Sequence, residues 1–298
     1  MNRQLLQALA RHLCLLALAA SALQGVSQNR SFTKNTEFVR YLTENKEFTD
    51  AEAALSGINE RFLNATERDS LNFLKGKVYY KDRRFDSSCV YLRRVLPGSP
   101  NFTEAGYYSM LDRALLYQPE TANCYLDSMQ ADSDRTHAQL RSFEKASLAL
   151  LMRDFKTFEQ IAPGFSYDYF QVADEQHSLV QLHDALKKEK KKYPAVAGIL
   201  SGLIPGAGKI YAGQPGQGIA AFVMVGIFAG ATAEVYKHSG RRDTEFILMA
   251  SVFSIFYTGN ILGSIYGVKT HKIRHADEVN KVILYNMRIP MGRVFGGM

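Results

Sequence analysis

The sequence predicts an all-α protein, with a domain of stacked helical hairpins over residues 30–190 and a hairpin of two transmembrane helices near the C-terminus. Two observations carry this prediction. Residues 30–190 contain few Gly and Pro and place apolar residues at helical spacing, which favours helices over strands. Further along, two apolar segments at about 217–236 and 246–268 are each long enough to cross the hydrocarbon core of a bilayer.

The N-terminus has the features of a secretory signal peptide over residues 1–22. Arg3 and Arg11 accompany the apolar run 13–18, and Ala20-Ser21-Ala22 fits a small-x-small cleavage site. The run is short for a bilayer crossing, and an uncleaved signal anchor or a short buried helix are the alternatives. We expect the peptide to be cleaved and the following domain to be exported.

The charge of the chain is unevenly distributed. Residues 187–298 carry 15 Lys and Arg against 6 Asp and Glu, whereas the rest of the chain carries 21 against 23. The basic residues flank apolar segments, which fits a membrane surface or a topology signal. No basic stripe is interleaved with aromatic residues that could stack on bases, so nucleic acid is not an expected partner.

Two cysteines, Cys89 and Cys124, follow the signal peptide. An oxidising compartment would allow them to form a disulfide. Two cysteines do not make a disulfide framework, and the favoured interpretation is two small buried residues on neighbouring helices.

One window of the helical domain has the pattern of a helical repeat. Gly76 is a small residue in a first helix beside Tyr79, Phe85 opens a second helix, Ser88 follows it by one turn, and Pro100 ends the unit. This window resembles a tetratricopeptide repeat, in which a small residue lets two helices pack closely. The resemblance implies a solenoid of hairpins that binds a peptide or protein segment.

The neighbouring repeats are less regular. The corner of each repeat, where its second helix begins, would lie at Phe48, Phe85, Tyr117 and Phe155. Their spacings are 37, 32 and 38 residues, whereas the family period is about 34 residues. An irregular helical bundle is the alternative. Tyr79, Tyr107 and Arg113 are the candidates for contact with a bound protein.

The glycines of the membrane region are spaced for helix packing. Small residues four apart let another helix backbone approach closely, and in a soluble helix each Gly would cost about 1 kcal/mol relative to Ala. A buried soluble hairpin is the alternative, and pairing between two copies of the chain is a further use of such a stripe. The residues concerned are Gly226, Gly230, Gly259, Gly263 and Gly267.

A glycine-rich string precedes the two apolar helices, within a membrane domain predicted over residues 194–268. Its distinctive residues are Pro205, Gly206, Gly208, Lys209, Tyr211, Gly213 and Gly218. The string resembles the Pro-Gly-x-Gly-x-x-Tyr-x-Gly signature of TM2-like two-helix membrane domains, found also in uncharacterised Bacteroidetes-type envelope proteins. That resemblance implies a membrane location and a fold. A Walker A loop is excluded because Leu203 and Ile210 stand where that loop needs Gly and Ser or Thr.

Topology rests on three basic clusters, at 187–192, 237–242 and 269–275, which cannot all be cytoplasmic. We favour two crossings with a cytoplasmic 237–244 loop over three crossings that include 195–212. The tail, residues 269–298, is basic and amphipathic, and its residues 276–289 are expected to lie along the membrane.

No constellation of residues specifies a reaction, a metal site or a cofactor. His177 and His183 with nearby carboxylates favour a polar helix over a metal site, and Glu234 and Asn260 are the polar groups nearest the apolar layer. The predicted function is therefore a non-enzymatic protein-binding or assembly module. We expect the protein to be anchored in the bacterial inner membrane, with its N-terminal domain in the periplasm. Its expected partners are an envelope protein and the lipid bilayer. The alternative is a small channel, transporter subunit or membrane-insertion factor.

Overall fold

The computed structural model describes residues 32–129 and 134–296, and every regular element in these ranges is a helix. The prediction of an all-α fold is confirmed. The predicted signal peptide, residues 1–22, lies outside the described residues. The described residues form two compact units: the first comprises those up to His183 together with those from Ile283 onward, and the second comprises Asp184–Val282.

Up to His183, the described part of the first unit contains four helical hairpins followed by a single helix. In each hairpin a first helix packs against a shorter second helix, and successive hairpins pack on each other. The hairpins are α1 (32–44) with α2 (Phe48–Ser56), α3 (Ala65–Lys81) with α4 (Phe85–Leu92), α5 (Phe102–Leu115) with α6 (Pro119–Ser128), and α7 (Arg135–Leu151) with α8 (Phe155–Ile161), and they are followed by α9 (Ala173–Lys188). Two short 3₁₀ helices lie at Glu60–Phe62 and Ala162–Gly164.

The sequence encodes several of the helix starts locally. Asn64 caps α3 by accepting the Glu67 N–H at 2.8 Å, and the Glu67 carboxylate accepts the Asn64 N–H at 3.0 Å. This reciprocal pair satisfies two backbone donors at the helix start. Proline occupies the first position of α6, where a missing N–H costs nothing.

All four hairpins use the same turn between their helices. The turn residues Lys46, Arg83, Tyr117 and Arg153 have φ of 64°, 62°, 58° and 59°. After each, the next N–H bonds to the carbonyl five residues back, at 2.8–2.9 Å. This is the Schellman arrangement, which pairs the last carbonyls of a helix. The hairpins therefore share one local geometry.

The third corner lies two residues later than predicted. Tyr117 is the left-handed turn residue, is 56% exposed, and does not open a helix; α6 begins at Pro119. The second helices thus begin at Phe48, Phe85, Pro119 and Phe155. The prediction was wrong here because an aromatic residue was sought at a corner that proline opens.

The second unit contains the end of α9 and four further helices. These are α10 (Pro194–Leu203), α11 (Ala207–Tyr211), α12 (Pro215–Ser239) and the greater part of α13 (Thr244–Phe295), and the short α11 lies within the glycine-rich string. Phe228 stacks on Phe256 at 4.4 Å and Tyr236 contacts Phe246 at 5.5 Å, so α12 and the first part of α13 form an antiparallel hairpin.

Helices α12 and α13 are long and apolar enough to cross a membrane. Their most apolar windows have mean hydropathies of 1.8 and 1.6, and only 11% and 6% of those windows are buried. The core helix of a soluble protein would instead be mostly buried. Their apolar surfaces are therefore available to lipid.

Candidate functional site

The repeat residues identified from sequence hold neighbouring helices together. A Cβ on Gly76 would lie 2.5 Å from the Leu92 side chain, so only glycine allows α3 and α4 to approach this closely. Ser88 is fully buried, Phe85 contacts the Tyr80 ring at 5.9 Å, and Pro100 is exposed in the link before α5. These residues build the hairpins.

Two of the three predicted contact residues join hairpins instead. The Tyr79 hydroxyl donates to Glu52 at 2.9 Å, and Arg84 pairs with the same carboxylate at 2.6 Å. Burial, with this hydrogen bond, raises the pKa of Tyr79 to about 12. Arg113 binds Asp86 at 3.1 Å. Tyr107 differs from both, because it faces the end of α13.

The C-terminal segment, residues 283–295 of α13, packs on one side of the hairpins. Its buried residues Ile283, Met287 and Met291 recur every four positions and are at most 1% exposed, so one face of the helix is covered. The contacted residues come from the first helices of the second, third and fourth hairpins and from α9. We call these residues, Tyr80, Tyr107, His137, Glu175 and Ser178, the first-helix face.

Polar contacts fix the middle of the C-terminal segment on this face. Arg288 Nε donates to the Tyr80 hydroxyl at 3.2 Å, and its guanidinium lies 5.8 Å from the Tyr80 ring centre. Asn286 donates to the Ser178 hydroxyl at 2.9 Å. Burial raises the pKa of Tyr80 to about 12, so its hydroxyl stays neutral in the physiological range.

The end of the segment is held by an ion pair and by aromatic contacts. Arg293 pairs with the buried carboxylate of Glu175 at 2.9 Å. The Phe295 ring lies 5.5 Å from Tyr107 and 5.4 Å from His137. The expectation that residues 276–289 lie along a membrane therefore does not hold for residues 283–289, because protein covers the apolar face of the C-terminal segment.

Several charged groups are buried within the hairpins. Lys77 is 1% exposed, pairs with Glu104 at 2.8 Å and lies 3.6 Å from the Tyr108 ring centre. Burial lowers the pKa of Lys77, raises that of Asp112 to about 8, and raises that of Glu144 well above its usual value. Asp112 is thus largely protonated at neutral pH, which avoids the cost of burying a charge.

The predicted glycine string forms a close-packed turn in the second unit. Gly206 has φ of 84°, and a Cβ there would overlap the Gly218 carbonyl oxygen. A Cβ on Gly208 would overlap the Ala197 carbonyl oxygen, and one on Gly218 would lie 2.5 Å from Ile210. Glycine at these positions lets α10, α11 and α12 meet backbone to backbone.

Helix α13 satisfies the polar backbone of this turn. Asn260 Oδ1 accepts the Gly206 N–H at 3.0 Å, and its Nδ2 donates to the Ser201 carbonyl at 3.2 Å. The Ser201 hydroxyl accepts the Gly208 N–H at 3.0 Å and bonds the Ser264 hydroxyl at 2.6 Å. Irregular backbone at membrane depth requires such internal partners. Asn260 is therefore a structural clamp.

The remaining motif residues lie around this turn. Tyr211 accepts the Tyr193 N–H at 3.1 Å. Gly213, with φ of 92°, ends α11 through the same Schellman turn as in the hairpins, since the Gln214 N–H bonds the Lys209 carbonyl at 2.9 Å. Pro205 is half-buried just before the turn.

The five glycines proposed for helix packing fall into two groups. A Cβ on Gly263 would lie 3.4 Å from Lys209 Cε, and one on Gly267 would lie 3.6 Å from Ala212 Cβ. Gly226, Gly230 and Gly259 have no atom within 4 Å of the Cβ position among the described residues. The first group meets α11 and the turn after it, and the second leaves open surface.

The histidines and cysteines do not converge on a site. His177 stacks on Tyr167 at 4.2 Å and His183 on Phe158 at 4.5 Å. Cys89 is buried as expected, and the two cysteines are not bonded to each other. The expectation was wrong for Cys124, which is exposed on α6, two helices after α4, which carries Cys89. Within residues 32–129 and 134–296, no group of three or more His, Cys, Asp and Glu has the arrangement of a metal site. No protein-family model, curated protein or solved structure matches this chain.

Proposed function

We propose that this protein is a membrane-anchored interaction module whose first-helix face binds an amphipathic helix of another envelope protein. Such a partner would take the place of the C-terminal segment. The observation that carries the proposal is that this face already holds a helix of defined chemistry: apolar residues every four positions, with Arg288 and Arg293 beside them. Helix-in-groove recognition uses the same spacing of anchors.

The C-terminal segment has features of an exchangeable occupant. Pro290 lies inside the helix, where proline removes a backbone hydrogen bond and costs about 3 kcal/mol. The last turns of α13 are therefore held by contacts with the face more than by their own helical preference. A partner helix without proline would avoid this cost.

The acidic and aromatic character of the face defines the partner. Glu175 offers a buried carboxylate, and Tyr80 and Tyr107 offer ring faces and a hydroxyl acceptor. A matching helix carries Arg or Lys at spacings that reach these groups, and Met, Ile or Phe between them. Aromatic and Arg anchors of this kind dominate the energetics of protein interfaces.

The proposed location is the bacterial inner membrane, with the hairpin domain in the periplasm. The exposed apolar surfaces of α12 and α13 support the membrane anchor. The exposed Lys237, Arg241 and Arg242 lie at the link between these helices, and basic loops favour the cytoplasmic side. This arrangement has two crossings.

The test is site-specific photo-crosslinking in membranes from cells that express the full chain. A photoreactive residue at Tyr107 should crosslink to the C-terminal segment and to a second protein. Met287→Asp should release the segment and raise the intermolecular product. Tyr285→Asp, on the exposed side of the same helix (Tyr285 is 65% exposed), is the matched control and should leave both products unchanged.

Two outcomes would contradict the proposal. One is that crosslinks from position 107 never reach another protein in either variant. The other is that Met287→Asp and Tyr285→Asp give the same ratio of intramolecular to intermolecular product.

A second candidate function places the activity in the membrane core, as a small channel, transporter subunit or insertion factor. An open groove of about 490 Å³ between α12 and α13 favours it. Complementation of a deletion strain separates the two candidates. Loss of function with Gly259→Leu, which fills the groove, but not with Glu175→Gln on the first-helix face, would favour the membrane core.

A further inference from the structure

The groove between α12 and α13 has a polar end and an apolar wall. Lys209 of α11, Gln217 in the first turns of α12 and Asn260 lie at one end, and Met224, Ile255 and Phe256 line the rest. Gly259 lies on the floor, where a Cβ would have no neighbour within 4 Å. The missing side chain keeps the groove open.

Lys209 supplies an unneutralised charge at the polar end. Its side chain is half-buried, and no described carboxylate forms an ion pair with it. Its stem passes Gly263, whose Cβ would lie in van der Waals contact with Lys209 Cε at 3.4 Å. A cation beside membrane helices is costly unless an anion accompanies it.

The groove is open along one side and holds about 490 Å³. That volume is within the range of sites for single small molecules.

We propose that this groove binds one anionic phospholipid. Its phosphate would lie at Lys209 and Gln217, and one acyl chain would follow Met224, Ile255 and Phe256. The order of these residues along α12 runs from polar to apolar in the direction that a lipid runs from headgroup to chain. The inference rests on insertion of α12 and α13 into a membrane, which the proposed function also assumes, and does not depend on partner binding by the first-helix face.

The test uses the full chain in nanodiscs that contain equal amounts of phosphatidylglycerol and phosphatidylcholine. Lipid that stays bound after transfer to detergent is counted by native mass spectrometry. The wild-type chain should retain one phosphatidylglycerol in about tenfold preference, because both lipids carry a phosphate but only phosphatidylglycerol has a net negative charge to neutralise Lys209. Excess inorganic phosphate should not displace it, because the apolar wall holds the chain.

Three variants separate the parts of the site. Lys209→Gln should abolish the preference for phosphatidylglycerol, and Gly259→Leu should abolish retention of either lipid. Gly230→Leu is the matched control, since a Cβ there also has no neighbour within 4 Å and Gly230 is not among the groove residues. It should behave as wild type. Circular dichroism of each variant in detergent checks that the helices are retained.

Equal retention of the two lipids by the wild-type chain would overturn the inference, as would an unchanged preference in Lys209→Gln. So would a protein crosslinked from position 255, which would assign the groove to a partner chain. Carbonate extraction of membranes distinguishes this failure from that of the membrane anchor: a chain that resists extraction but shows no lipid preference refutes the groove site alone.

Discussion

Arg288 donates a hydrogen bond to the hydroxyl of Tyr80, which lies 208 residues earlier in the chain. This contact joins the last helix to the second hairpin. With the Arg293–Glu175 ion pair it assigns the C-terminal segment to the hairpin unit. The end of the chain is thus part of the domain that the proposed partner would bind.

The covered face of the C-terminal segment should contribute strongly to stability. Met287→Ala should lower the free energy of unfolding of the hairpin unit by about 3 kcal/mol, because Met287 is fully buried and truncation leaves a cavity. Tyr285→Ala should change it by less than about 0.5 kcal/mol, since Tyr285 is exposed. Chemical denaturation of the full chain in detergent measures both. Equal effects would refute the packing of this segment on the hairpins.

Stability should fall as pH rises through the titration of Asp112. Burial raises the pKa of this carboxyl to about 8, and the neighbouring Ser88 and Arg113 offset only part of that effect. A carboxyl with a higher pKa in the folded state than in the unfolded chain binds more protons when folded, so the free energy of unfolding declines between the two values. The window runs from about pH 4 to about pH 8.

Asp112→Asn should therefore flatten the pH dependence of the melting temperature between pH 5 and 9, relative to wild type. Asp174→Asn changes an exposed carboxyl and should leave the pH profile as in the wild-type chain. If Asp112→Asn melts in parallel with wild type across this range, Asp112 is ionised in the folded state and its assigned environment is wrong.

Close packing at Gly76 should make that position intolerant of larger residues. Gly76→Val would bring its side chain against Leu92 and should lower the free energy of unfolding by about 1–3 kcal/mol through overpacking. Gly164→Ala, where a Cβ has no neighbour within 4 Å, is the control and should be nearly neutral. Thermal unfolding monitored by circular dichroism distinguishes them.

The Asn260 clamp should be essential to the glycine-rich turn. Asn260→Leu leaves the Gly206 N–H and the Ser201 carbonyl without their partner, and each buried unpaired group costs about 1–3 kcal/mol. Ser254→Ala removes only a bond to a carbonyl of its own helix and should be mild. Unfolding in increasing sodium dodecyl sulfate measures the difference. A resistant Asn260→Leu protein would show that the turn is satisfied in another way.

Sequence patterns identified the hairpins where side chains mark them. Phe48, Phe85 and Phe155 each begin a second helix, as predicted. The third corner was misplaced because Tyr117, a left-handed residue without glycine, has no recognisable signature. Pro119, at the first position of α6, is the residue that indicates where the second helix of this hairpin begins.

Long-range partners could not be predicted from sequence. Asn260 was recognised as a polar group near the apolar layer, but its partner is a backbone N–H 54 residues earlier. The amphipathic pattern of residues 283–295 fits lipid and protein equally well, because both cover one apolar face of a helix. The contacts of Arg288 with Tyr80 and of Arg293 with Glu175 show that protein covers this face.

The shared hairpin turn lowers the stability of the folded domain. A left-handed conformation costs a residue with a side chain roughly 1–2 kcal/mol, and Lys46, Arg83, Tyr117 and Arg153 all adopt it. Glycine at any of these positions would remove that strain, less the added freedom of the unfolded chain. The four turn residues are therefore natural points for engineering a more stable version of the domain without altering the first-helix face.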